Sequence, residues 1–183
     1  MEALKYEHMP NYSYEDYLQW EGEWEVIDGI AYAMAPAPMK RHQMLVGYIF
    51  SEIVSNIGDC PRCEVLIDSD WKLNSTTILK PDVAVVCDDS NEKYISKTPE
   101  VIFEVISPST AQKDEGLKFS IYAKEGVKYY ILIYPNELVA KVYKNHNFEF
   151  KKIAEFDTET FDFSELKCSF SFDFKTIFSR FRD

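Results

Sequence analysis

The sequence predicts an α/β fold with one mixed sheet. Three observations carry the prediction: an amphipathic helical run over 41–57, buried-type β runs at 78–87, 101–106 and 129–134, and a second helical run over 111–125. The central order reads helix, three strands, helix, strand, strand, which is one α/β unit. A chain of 183 residues can bury a full core, so 1–183 is expected to form a single domain.

The elements follow in order. Ser13 precedes Tyr14–Trp20 with a Ser-x-x-Asp signal, which predicts a short capped helix. Glu23–Met34 reads as a hairpin turning at Asp28-Gly29, the dipeptide that tolerates positive φ. Ala35-Pro36-Ala37-Pro38 breaks the pattern. Leu45, Tyr48, Ile49, Ile53, Val54 and Ile57 then recur at three-to-four spacing, and Gly58 closes that helix. Strands are predicted at Glu64–Asp68, Trp71–Leu73 and Ile78–Cys87. Val101–Ile106 is apolar enough for burial on both faces. The helix over 111–125 ends at Gly126. Tyr129–Tyr134 and Leu138–Tyr143 are the next strand and its hairpin partner. The tail alternates Phe161-Asp162-Phe163 and Phe170–Phe174, predicting one or two strands and a terminal helix over Phe174–Arg182. These phenylalanines serve the core or a subunit contact. A homodimer is one way to cover the sheet edges.

Composition excludes some functions. With 46% hydrophobic and 15% aromatic residues, a disordered chain is excluded. No apolar run approaches a membrane span, and Met1-Glu2-Ala3 leads into charged sequence, so a cytoplasmic protein is expected. The net charge of −11 argues against a protein that coats nucleic acid by charge alone. Residues 1–35 hold eight acids and one lysine, so most of that charge is N-terminal and a local cationic cleft remains compatible. Cys60 and Cys63 form a Cys-Pro-Arg-Cys pair, but Cys87 and Cys168 supply no matching second pair. A structural zinc site needs four ligands, so this spacing predicts ordinary thiols.

The chemistry lies in two β runs. Lys80-Pro81-Asp82-Val83-Ala84-Val85-Val86 and Val101-Ile102-Phe103-Glu104-Val105-Ile106 each hold a carboxylate among apolar neighbours. Buried carboxylates shift their pKa or find a partner, and a divalent cation is a natural partner for two. Neighbouring strands lie about 5 Å apart, so matched heights would bring both acids to one ion. Pro81 lacks the amide donor and marks an interruption of pairing beside Asp82. On the following helix Asp114 and Lys118 are four apart and share a face, with Tyr122 a turn further on. Two acids, an ion and a lysine suffice for phosphodiester hydrolysis. The plainer alternative makes Asp82 and Glu104 structural acids paired with Lys80, Lys72 or helix ends, and Lys118 a solvated lysine.

Pro81-Asp82, Phe103-Glu104-Val105-Ile106-Ser107-Pro108-Ser109-Thr110 and the string Asp114…Lys118…Tyr122-Ala123…Gly126-Val127…Tyr129-Tyr130 resemble the Uma-type family of restriction endonucleases. That family lies within the PD-(D/E)XK nuclease superfamily. Trp24–Gly29, Met34–Pro38 and His42 resemble its opening hairpin and first helix. The resemblance implies a restriction-endonuclease-like αβββαβ core with an N-terminal helix and hairpin and a C-terminal β extension. It implies a Mg²⁺-dependent endonuclease, with Mn²⁺ as substitute and DNA as substrate. Asp82, Glu104 and the Val105 carbonyl would hold the ion. The superfamily places a lysine two residues after the second acid, where this chain has Ile106. Lys118 is then the matching lysine. Glu25 is a candidate third acid, His42 a candidate phosphate contact, and Asp114 either a site acid or a helix cap. A catalytically inactive binding or assembly module on the same fold is the alternative.

Overall fold

The computed structural model describes residues 10–34 and 39–182. The Ala35–Pro38 break lies outside them. Helix α1 is Tyr14–Tyr17, shorter than expected, and carries the predicted reciprocal cap between Ser13 and Asp16. Strands β1 (Trp24–Ile27) and β2 (Ile30–Ala33) form the hairpin. Both turn residues take positive φ, 49° at Asp28 and 76° at Gly29, which matches the twist of a two-residue hairpin.

Helix α2 (Lys40–Ile57) ends at Gly58. Its buried face is Leu45, Val46, Ile49 and Ile53, whereas Val54, predicted inside, is exposed. Strands β3 (Cys63–Ile67), β4 (Trp71–Asn74), β5 (Thr77–Leu79), β6 (Val83–Cys87) and β7 (Val101–Val105) follow. The single strand expected over 78–87 is two strands. The chain bends at Lys80-Pro81-Asp82, where proline removes a ladder donor, and passes from one sheet to another.

The helix expected over 111–125 begins at Ala111 but widens to a π-helix over Lys113–Lys118 before α3 (Phe119–Lys124). Strands β8 (Tyr129–Tyr134), β9 (Val139–His146) and β10 (Glu149–Phe156) complete the large sheet. Strand β10 was not legible, because Glu149–Phe156 lacks clean alternation and its pairing with β9 is bulged between Lys152 and Ala154. The tail forms β11 (Thr160–Phe163), β12 (Phe170–Asp173) and α4 (Phe174–Phe178), with a 3₁₀ turn after it.

The large sheet has the order β10-β9-β8-β7-β6-β3, and the smaller one β2-β1-β5-β4. Within the large sheet only β7 and β8 run parallel; α3 makes the crossover between them. One face of this sheet (Val83, Val85, Phe103, Val105) packs on α2 and on Phe163, Phe172, Phe174 and Phe178, so the tail phenylalanines are core. The other face (Ala84, Val86, Ile102, Leu132) packs on Trp71, Leu79 and Tyr122. By the period of two, Asp82 and Glu104 belong to this second face. Among the described residues no helix is long and apolar enough to cross a membrane.

The four cysteines are not the isolated thiols expected. They form two disulfides, Cys60–Cys168 and Cys63–Cys87, and none of the four is a free thiol. Sequence spacing hid this because 108 positions separate Cys60 from Cys168.

Candidate active site

Asp82 lies at the bend, one step beyond the paired Val83 and Phe103, so it faces Glu104 across β6 and β7. The Val105 amide donates to Asp82 Oδ2 at 2.7 Å, and the Asp82 amide lies 3.4 Å from Glu104 Oε2. The two carboxylates therefore meet on one face of the sheet. His42, in the first turn of α2, brings Nε2 to 3.2 Å from Asp82 Oδ2.

Lys118 is the centre of the charge network. Its ammonium group lies 2.7 Å from Glu104 Oε1, 3.1 Å from Glu25 Oε1 and 3.5 Å from Asp114 Oδ1. It is only 2% exposed, so it is no solvated surface lysine. Nor do Lys80 or Lys72 neutralise the strand acids: Lys80 pairs with Glu23, and Lys72 sits over the Tyr14 ring. Tyr122 donates its hydroxyl to Glu104 Oε1 at 3.0 Å. Glu25, fully buried on β1, also accepts from the Lys80 amide at 2.8 Å and pairs with Lys113.

The π-helix explains why two lysines reach one carboxylate. Its hydrogen bonds run between residues five apart, so positions 113 and 118 share a face much as positions four apart do in an α-helix. Asp114 shares that face and is buried, and the Tyr130 hydroxyl donates to its carbonyl at 3.0 Å.

The electrostatics follow from burial and crowding. Burial pushes the Glu104 carboxyl well above the ordinary range; Lys118 opposes this, while Asp82 and Asp114 add to it. Burial likewise raises Asp114 and Asp68. For Glu25 burial is outweighed by Lys118 and Lys113, and its carboxyl is held below the ordinary range. Burial would lower Lys118, but Glu104 and Glu25 overcome it and keep the ammonium protonated. In His42 burial is similarly overcome by Asp82, so the imidazole holds its proton more firmly.

His42, Asp82, Glu104, Asp114 and Lys118 line a cleft of about 770 Å³ that also includes Arg41, Gln43, Asp68, Lys80, Ile106 and Lys113, whereas Glu25 and Tyr122 are buried outside its lining. Asp82, Glu104, Asp114 and Asp68 converge on this cleft, and burial raises the carboxyls of Glu104, Asp114 and Asp68. The facing carboxylates of Asp82 and Glu104 are an all-oxygen pair that fits a hard divalent cation such as Mg²⁺ or Mn²⁺. Lys113 and Asp68 were missed from sequence. Nothing in the local sequence marks Asp68, and the π-helix shifts Lys113 out of α-helical phase.

The sequence profile of the Uma2 family, described as "Putative restriction endonuclease", matches residues 14–165. The chain belongs to the Uma2 family. An uncharacterized protein, slr1290, from Synechocystis sp. (strain ATCC 27184 / PCC 6803 / Kazusa) is 35% identical over 123 residues, covering 62% of this chain and 63% of that protein. The chain thus aligns with a little under two thirds of that relative's length. A crystal structure from Anabaena variabilis ATCC 29413, described as "a putative nuclease belonging to DUF820", superposes with a TM-score of 0.71 at 18% identity. The match covers 91% of this chain and 97% of that one, and it shows a shared fold. The Uma2 match and this fold agree with the αβββαβ core of α2, β3, β6, β7, α3 and β8.

Proposed function

We propose that this Uma2 family member is a divalent-metal-dependent endonuclease that hydrolyses DNA phosphodiester bonds, acting as one domain over 1–183. The observation that carries it is the meeting of Asp82, Glu104 and Lys118 on one cleft wall, with a lysine from the helix standing in for the one absent at Ile106. Asp82, Glu104 and the Val105 carbonyl would hold Mg²⁺ or Mn²⁺. The bound ion supplies polarisation of the phosphate and a lower pKa for the attacking water.

The other roles belong to the chain's own residues. Lys118, protonated and fixed by three carboxylates, places positive charge beside the phosphate as negative charge develops. Glu25 and Tyr122 hold that lysine and Glu104 in position. The first turn of α2 carries Lys40, Arg41 and His42 and no acid, and its N-cap, Met39, offers no side-chain bond. Open amides and the helix dipole there favour a phosphate. Arg41 Nε and His42 Nδ1 are buried without a protein partner and are suited to the same ligand.

The test is cleavage of plasmid DNA with Mg²⁺ or Mn²⁺, and with chelator, for wild type, Asp82→Ala and Glu104→Ala. Metal-dependent nicking that both substitutions abolish is expected. Equal activity in all three rejects these acids. The net charge of −11 and Ile106 at the usual lysine position favour one second reading, a non-cleaving binding module. No cleavage together with no thermal stabilisation by either metal selects it.

A further inference from the structure

The cysteines gather far from the cleft. Cys87 ends β6 and Asp82 precedes its start, so about 17 Å of extended chain separates them. Cys60 and Cys63 bracket the Cys-Pro-Arg-Cys turn between α2 and β3, and Cys63 faces Cys87 in antiparallel register. Cys168 arrives from the turn before β12, its Cα 6.0 Å from that of Cys60. The sulfurs of Cys60, Cys63 and Cys168 all lie within 4.8 Å of one another, and Cys87 Sγ adjoins that of Cys63. Four thiols from three distant parts of the chain share one small volume.

We propose that in the reduced protein these four thiols bind Zn²⁺ as a structural tetrathiolate. Zinc takes four sulfurs at about 2.3 Å in a tetrahedron, which sets neighbouring sulfurs roughly 3.8 Å apart. That spacing fits inside the 4.8 Å cluster. Two disulfides need only two pairwise contacts, yet three of the sulfurs, those of Cys60, Cys63 and Cys168, are mutually close, and Cys87 Sγ reaches the group through Cys63.

Ion pairs also tie the segments that carry the sulfurs. Asp88, next to Cys87, accepts from Arg62 Nη2 at 2.8 Å and from Lys167 Nζ at 2.7 Å. Arg62 sits between Cys60 and Cys63, and Lys167 precedes Cys168, so this clamp joins the same three segments. The two cations also lie beside a site that would carry excess negative charge, since four thiols lose four protons to one dication. The metal would fasten the C-terminal extension to the end of the sheet opposite the cleft. Soft thiolates select Zn²⁺, whereas the oxygen-lined cleft selects a harder ion.

The experiment is elemental analysis of the full chain purified under reductant without chelator. About one zinc per chain is expected, unchanged in Asp82→Ala and lost in a Cys60→Ser/Cys168→Ser double variant. Should that variant fail to fold, wild type loaded with Co²⁺ is read instead, and an intense thiolate-to-cobalt charge-transfer absorption is expected. The proposal is overturned by zinc that persists in the double variant, or by a Co²⁺ complex lacking that absorption. It is equally overturned by a reduced, zinc-free chain that takes up no added Zn²⁺. These readouts follow metal and thiols rather than cleavage, so they stand or fall independently of the nuclease reading.

Discussion

The ammonium group of Lys118 lies 2.7 Å from Glu104 Oε1, although one comes from the π-helix and the other from β7. A lysine on Glu104's own strand would occupy position 106, where Ile106 lines the cleft instead. The same charge thus enters from a different element.

The first prediction concerns that substitution of place. Lys118→Met leaves Glu25, Glu104 and Asp114 without their shared cation. Removing one partner of a buried pair costs roughly 3–5 kcal/mol, so the variant should unfold at markedly lower denaturant and should not cleave. Adding Ile106→Lys to it should restore part of the cleavage. A Lys118→Met variant that folds, binds metal and still cleaves at the wild-type rate would show that Lys118 is only structural.

Metal binding should raise the melting temperature, and more so at higher pH. Burial among acids raises the Glu104 pKa, so protons compete with the ion there. In the metal-free chain such a raised carboxyl favours folding at low pH and loses that contribution as pH rises through its folded value. The Mg²⁺-induced shift in Tm should therefore grow as pH rises through that range, and Glu104→Gln should flatten it. A shift independent of pH in wild type contradicts this.

Glu25 should behave in the opposite sense. Lys118 and Lys113 overcome its burial and depress its pKa, so its stabilisation is present above the ordinary carboxylate range and is lost as pH falls. Glu25→Gln should be destabilised by roughly 3–5 kcal/mol at neutral pH, with the gap to wild type closing in acid. Denaturant melts of both proteins across pH provide the check; a gap that widens in acid refutes it.

The hairpin that carries Glu25 depends on Gly29. Its φ is +76°, and a Cβ there would meet Asn11 Oδ1 at 2.0 Å and Asn11 Cα at 3.0 Å. Gly29→Ala should cost on the order of 1–3 kcal/mol and lower cleavage by loosening β1. Wild-type stability in this variant would mean that Asn11 moves aside freely.

The elements with regular periodicity were legible in the sequence, as were the two strand acids, because a carboxylate inside an apolar β run is conspicuous. Lys118 was legible through its spacing from Asp114 and the resemblance. The break at Pro81 was marked, yet its scale was not: whether proline interrupts one strand or sends the chain into a second sheet depends on partners distant in sequence. Val54 fits the helical stripe but lies just outside it. Lys113 was hidden because the π-helix changes the period from which faces are read. The union of Cys60 with Cys168 rests on long-range packing that spacing does not encode.

The bend at Lys80-Pro81-Asp82 joins β5 of the small sheet to β6 of the large one, and Asp82 stands at the joint. Glu25 belongs to the small sheet and Glu104 to the large. The small sheet is therefore half of the mount that aligns the acids, not a decoration on a self-sufficient core. Trimming the hairpin, or letting one sheet slide against the other, would dismantle the site without touching β7.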